Sequence, residues 1–391
     1  MKTFFNTKYQ KTYRYFFIFS ILLLLYQYLI PIIYSDSELK HLFFLSLGYP
    51  SDPVVLPLVI DFPKFFFSND YHFSNNLYYL PEFLIYKLFG FNYIWITGII
   101  YKIIFFLVII KILSTYISLK NHKIFFIFAL TILILITSGF GGNHDRLVRP
   151  SLLNIFESIL ILNLYKCYFR CKISYLDSLI IGISSASTLS MAPWNFFFII
   201  PLFLINFKNL KKLNFTIFFL TFVIVYFPNI QTNFYVVSGN NTHLEYLGIK
   251  EIYNIKFFLT DFIIEALKSK RILFGFIIIL FINILEKKKI YLVILFSSLI
   301  FGFLPYIILG KTILSYHILQ GLFDFLFFTC IFLFYKSCNE NHIIKKQINF
   351  YYSKLKIILP CIILVYPFFI QNYWIERSKN LKKEYEKHFY N

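Results

Sequence analysis

Apolar residues in this chain come in long runs, and the polar residues between them come in short clusters. The runs are Tyr13 to Ile33, Asn92 to Ile117, Ile124 to Ser138, Ser151 to Tyr165, Tyr175 to Met191, Trp194 to Phe207, Phe215 to Pro228, Ile272 to Leu285, Ile290 to Leu309, Thr312 to Tyr335 and Ile357 to Ile370. A hydrocarbon core of about 30 Å takes about 20 apolar residues in helical form, and many of these runs approach that length. The pattern predicts an all-α, polytopic transmembrane helix bundle of about 11 spans, with residues 1–391 forming a single transmembrane domain. The first run is too long for an ordinary signal-peptide core, and no small-residue cleavage site follows it. It is expected to be a retained first helix.

Two polar stretches are longer than the rest, and the threading places both outside. Residues 34–91 form the expected first outer loop and residues 229–271 the second. The first holds Asp36, Glu38, Asp52, Asp61, Asp70 and Glu82. Within it, Leu77 to Gly90 reads as an amphipathic helix at the membrane surface, because its aromatic and Lys content suits the interface.

Composition sharpens this picture. The chain is 58% hydrophobic and 15% charged, against about 45–50% and about 25% in soluble domains. Phe, Ile, Leu, Tyr, Lys and Asn dominate, which reads as an AT-rich coding bias, so one Phe or Lys says little about a site. The net charge of +19 invites a nucleic-acid reading, but its placement points to topology. Lys and Arg crowd into Lys120 to Lys123, Lys166 to Lys172, Lys208 to Lys212, Glu286 to Lys289 and Lys336 to Lys356. With the N-terminus in the cytoplasm, all of these are inside loops, as the positive-inside rule requires. Lys268, Lys270, Arg271 and the basic tail from Glu376 fit less well; one span fewer or more near Tyr175 to Phe207 returns the tail to the cytoplasm. The five cysteines form no ladder of zinc ligands. No internal repeat and no Gly-rich phosphate cradle is visible.

Four clusters are candidates for chemistry. Asp36-Ser37-Glu38 follows the first span directly. Its carboxylates suit a shared divalent cation (Mg or Mn) or a general base at the membrane boundary, or else a helix cap opening a solvated loop. Gly141 to Pro150 packs His144, Asp145, Arg146 and Arg149 into a short loop before a helix start. The arginines there either grip a phosphate or reach for lipid headgroups. Glu157, Asp177 and Asp324 are ionisable residues within or at the ends of spans, where they serve a polar cavity or a structural pair. Lys311 and His317 stand at the outer end of the tenth span, as binding groups or as interfacial residues.

In the order of these pieces the chain resembles the C-type (GT-C) membrane glycosyltransferases. A first helix leads into Asp36-Ser37-Glu38, then a large outer loop, then Pro81-Glu82-Phe83-Leu84-Ile85-Tyr86-Lys87-Leu88-Phe89-Gly90, and later the aromatic-His pair Tyr316-His317. The late Arg-Tyr and Pro pattern of the family and its large soluble C-terminal domain have no counterpart here. The resemblance implies an inverting transfer of a sugar from a polyprenyl-phosphate donor to a glycan, lipid or protein acceptor at the outer face. It implies Asp36 as general base and Glu38 as its assistant or a metal ligand. It makes Arg146 and Arg149, with His144 and Lys311, the groups that stabilise the leaving phosphate. The expected setting is a bacterial inner membrane, with membrane lipid, donor and acceptor as partners. A polysaccharide polymerase of the O-antigen type and a lipid-linked glycan flippase are the alternatives.

Overall fold

The computed structural model describes residues 15, 18–26, 80–90, 95–116, 129, 149–170, 172–237, 269–286, 288–309, 313–342, 345–347, 349–365 and 368. Every regular element among them is helical, as the apolar runs predict. In chain order these are α1 (Leu80–Phe89), α2 (Trp95–Tyr116), α3 (Arg149–Arg170), α4 (Tyr175–Met191), α5 (Pro193–Asn206), a 3-10 turn (Phe207–Asn209), α6 (Lys212–Val237), α7 (Lys270–Glu286), α8 (Ile290–Leu309) and α9 (Ile313–Glu340). Residues 18–26 and 349–365 are also helical.

Local chemistry sets several of the boundaries. Ser174 caps α4 in a capping box: its hydroxyl accepts from the Asp177 N–H at 3.1 Å, and the Ser174 N–H donates back to Asp177 Oδ2 at 3.1 Å. Pro193 opens α5 where a missing N–H costs nothing. Gly90 ends α1 at a positive φ of 89°, with its N–H donating to Tyr86 O.

By length and composition, two helices among the described residues can cross a membrane: Leu152–Arg170 and Gly321–Cys338. Four more apolar helical stretches are shorter: Asn195–Asn209, Lys212–Phe227, Ile272–Glu286 and Ile290–Leu304. Among the described residues the helices are shown but a count of about 11 spans is not, and apart from Ala129 the expected run Ile124 to Ser138 lies outside the described residues. One physical reason is that a 14-residue helix such as α5 rises only about 21 Å. A second departure concerns Lys336. The sequence suggests a loop from that residue on, but Lys336 lies inside α9 and is buried.

The described residues fall into two compact units, one drawn from 1–60, 81–152 and 338–391 and the other from 61–80 and 153–337. In the second unit α4 packs on α6, and α5 packs on α8 and α4. Gly182 is what lets α4 and α6 approach: a Cβ there would meet Phe218 O at 2.8 Å.

This second unit buries polar side chains beside an apolar core and turns large apolar residues outward. Ser184, Ser185, Ser187, Thr188 and Ser190 of α4 are buried, while Leu176 and Leu179 are exposed. The Ser184 hydroxyl donates to Ile180 O at 2.7 Å and that of Ser185 to Ile181 O at 2.5 Å, so these groups need no water. Outward stripes of large apolar residues run along α7 (Ile277, Phe281, Ile284) and α8 (Val293, Phe296, Ile300), each residue more than half exposed. Soluble monomers rarely show such continuous apolar surface, whereas lipid contact requires it.

Candidate functional site

Printed contacts fix how the helices of the second unit run. Tyr165 of α3 donates to Thr329 Oγ1 of α9 at 3.1 Å, and Phe169 stacks on Phe332 at 5.7 Å, so α3 and α9 are parallel. Asn206, at the end of α5, donates to Leu164 O at 3.0 Å, and Asn214, near the start of α6, donates to Ile173 O at 2.7 Å. Phe169 meets Tyr291 of α8 edge-on at 6.2 Å. The ends of α3, α5, α7 and α9 and the starts of α4, α6 and α8 thus gather at one end of the unit.

That end is closed and basic. Glu286 at the end of α7 accepts from Tyr291 Oη at 2.6 Å, from Lys336 Nζ at 3.3 Å and from the Ser337 hydroxyl, and Lys288 lies 3.5 Å away. Lys336 Nζ also sits 4.8 Å from the centre of the Phe169 ring. Beside it, Lys166 bridges to Asp177 at 2.6 Å, which fixes the α3–α4 turn. Both acids are held by cations and hydroxyls, so this end reads as structural. Asp177 belongs here, as a cap and an ion pair.

The other half of the unit holds a different arrangement. Glu157 of α3, Asn195 of α5 and Asp324 of α9 are all buried and meet between the three helices. The Asn195 side-chain NH2 donates to Glu157 Oε1 at 2.5 Å and reaches Asp324 Oδ2 at 3.4 Å. One amide therefore serves two carboxyl groups, which also feel each other's charge directly. Gly321, one turn before Asp324, makes the approach possible. A Cβ there would stand 2.6 Å from Asn195 Oδ1 and 3.0 Å from Asn195 Cα. One turn before Glu157 on the same helix, the buried Asn154 amide meets no hydrogen-bonding partner among the described residues. At about 1.5 Å per residue, Glu157 lies about 12 Å along α3 from Arg149 and about 18 Å from Phe169. Ionisable groups at such depth in a membrane bundle face a cavity, a partner or a transported species.

Of the residues singled out from sequence, Glu157 and Asp324 are brought together. Asn195, which links them, carries no sequence signal beyond an amide just after Pro193-Trp194. Arg149 is the first residue of α3, and His317 stands two turns before Asp324 in α9; the side chains of both lie outside the described residues. Asp36, Glu38, His144, Asp145, Arg146 and Lys311 lie outside the described residues altogether. A divalent cation on Asp36 and Glu38 stays an expectation for the same reason. Among the described residues no group of three or more His, Cys, Asp or Glu side chains is placed to hold a metal. No protein-family model, curated protein or solved structure matches the chain.

A further acid sits in the first unit. Glu82 is 1% exposed and is the buried residue of α1. Its carboxyl faces Tyr101 and Thr97 of α2. Burial pushes it up to about 7, and one of its oxygens, Oε2, meets no hydrogen-bonding partner among the described residues. The sequence places Glu82 among the acids of a solvated loop; the fold places it inward.

Proposed function

We propose that the chain is a multi-pass membrane glycosyltransferase that moves a sugar from a polyprenyl-phosphate donor to a glycan, lipid or protein acceptor at one face of the bilayer. The observation that carries this reading is the polarity of the second unit. Its basic end is closed by satisfied ion pairs and stacked rings. Two acids, Glu157 and Asp324, share one amide in the half where α3, α5 and α9 begin. Arg149 opens α3 and His317 belongs to the first turns of α9. The chain segments carrying His144 to Arg146 and Lys311 lead into those same helix starts. In this reading Asp36 takes the proton from the acceptor hydroxyl as that oxygen attacks the anomeric carbon. The bond to the lipid phosphate breaks with its electrons on the phosphate oxygen, and Arg146 and Arg149 stabilise that charge.

The test is sugar transfer in proteoliposomes with a mixed pool of labelled polyprenyl-phosphate sugars. The wild type is expected to form covalent product, and Asp36→Asn to lose at least about a hundredfold, the usual scale for removing a general base. Full transfer by Asp36→Asn would remove the assignment. A transporter or flippase is the second reading, favoured by the acid pair between helices. Passage of label across the bilayer without covalent product would decide for it.

A further inference from the structure

Two helices of the second unit stop short. α4 and α5 have 17 and 14 residues, against 22 and 28 in α3 and α9. They share Ala192 as the cap that ends one and opens the other. Asn195, in the first turn of α5, meets Glu157, which lies more than two turns inside α3. The hairpin therefore turns at the depth of Glu157, with Met191 and Asn195 buried on either side of the turn. Helix breaks at membrane depth are tolerated where protein buries them, and in membrane bundles they are where ions are held. The polar groups at this depth are not all used. The Asn195 amide donates to Glu157 Oε1 at 2.5 Å and reaches Asp324 Oδ2 at 3.4 Å, but Glu157 Oε2 meets no hydrogen-bonding partner among the described residues. The same holds for both amide atoms of Asn154, a side chain that is 0% exposed. Asn154 stands about three turns before Tyr165, whose hydroxyl donates to Thr329 of α9. It shares that side of α3, so its amide enters the α3–α9 contact that also holds Asp324, one turn before Glu157.

We propose that Asn154, Glu157 and Asp324 bind a small monovalent cation of sodium size inside the bundle, with Asn195 orienting the two carboxyl groups toward it. The open Oε2 of Glu157 and the open Oδ1 of Asn154 are the atoms that bring a ligand into the account. Burial sets its size: all four side chains are at most 3% exposed, which admits an atom and not a sugar. Donor chemistry sets its kind, because carboxylate and amide oxygens are hard ligands that favour hard cations. Its charge offsets part of that of two acids packed among apolar helices. The small number of oxygens sets its valence. Mg2+ keeps several of its waters and Ca2+ takes about six to eight oxygens, and a dry contact of two acids and one open amide supplies neither. This site does not depend on the transferase reading, since it uses neither Asp36 nor the lipid phosphate.

The probe is Na+ itself, titrated against the full chain in detergent while choline chloride holds the ionic strength constant, with thermal unfolding as the readout. The wild type is expected to show a saturable rise in unfolding temperature with Na+. Asn154→Leu keeps the volume and removes the unpartnered amide. In choline alone it is expected to unfold at or above the wild-type temperature, because no hydrogen bond is lost. Its apparent Na+ affinity is expected to fall at least about tenfold. Glu157→Gln is expected to lose the Na+ response. A wild type that does not respond to Na+, or responds to Mg2+ in its place, overturns the proposal. So does an Asn154→Leu variant that keeps the wild-type Na+ response. If Asn154→Leu unfolds below the wild type in choline, or does not fold, its amide is structural and the proposal falls as well. If Glu157→Gln does not fold, Asn154→Leu decides alone. Sugar transfer is read separately in proteoliposomes, so failure of the cation site and failure of the transferase reading are told apart.

Discussion

Glu286 and Glu157 are both acids on membrane-type helices of the same unit, yet their surroundings differ in kind. Around Glu286 every partner among the described residues is a cation or a hydroxyl: Lys336, Lys288, Tyr291 and Ser337. Around Glu157 the partners among the described residues are a single amide and a second acid. The first set closes on itself and ties together the ends of α7 and α9 and the start of α8. The second sets two acids on one amide. Burial alone therefore does not mark a functional acid. What separates the two is whether the neighbours of the acid already satisfy it.

Substitutions make that contrast measurable. The largest effect is expected from Glu286→Ala, which strips Lys336 of its carboxylate while leaving its ammonium buried. Thermal unfolding in detergent should show a loss of about 3 kcal/mol, the scale of a broken buried pair. A change below about 0.5 kcal/mol would demote the cluster to surface decoration. Glu157→Gln is expected to be small in the same assay, neutral or stabilising by a few tenths of a kcal/mol, because it removes one of two like groups while keeping a hydrogen-bonding side chain. If Glu157→Gln destabilised the fold as much as Glu286→Ala, the two acids would be equivalent and the interior pair would be structural.

The sequence carried the helices well and their partnerships poorly. The expected bounds of α4 and α8, Tyr175 to Met191 and Ile290 to Leu309, are those observed, because a Ser-x-x-Asp cap and flanking lysines mark them. The sequence does not reveal the burial of Lys336, because a lysine after an apolar run looks like the end of a span. Its burial depends on Glu286, which stands 50 residues away in the chain. Glu157 and Asp324 are conspicuous as acids in apolar runs, but Asn195 is not, since an Asn beside a proline reads equally well as a turn. Glu82 reads from the sequence as one more outer acid, because only its burial shows which side of α1 is covered. The chemistry proposed for Asp36, Arg146 and Arg149 rests on their order in the chain and on the charge asymmetry, not on side-chain geometry.

That asymmetry is the centre of the account, and one measurement reaches it directly. Lys208, Lys211, Lys212, Lys288 and Lys289 are exposed at the closed, basic end of the second unit. A membrane-impermeant acylating reagent is applied to sealed vesicles of each orientation, and the modified lysines are read by peptide mass spectrometry. Modification of these lysines is expected from the cytoplasmic side alone, which leaves the half with Glu157, Asn195 and Asp324 toward the outer face. Modification of the same lysines from the outside would invert the bundle and contradict the proposed site of chemistry.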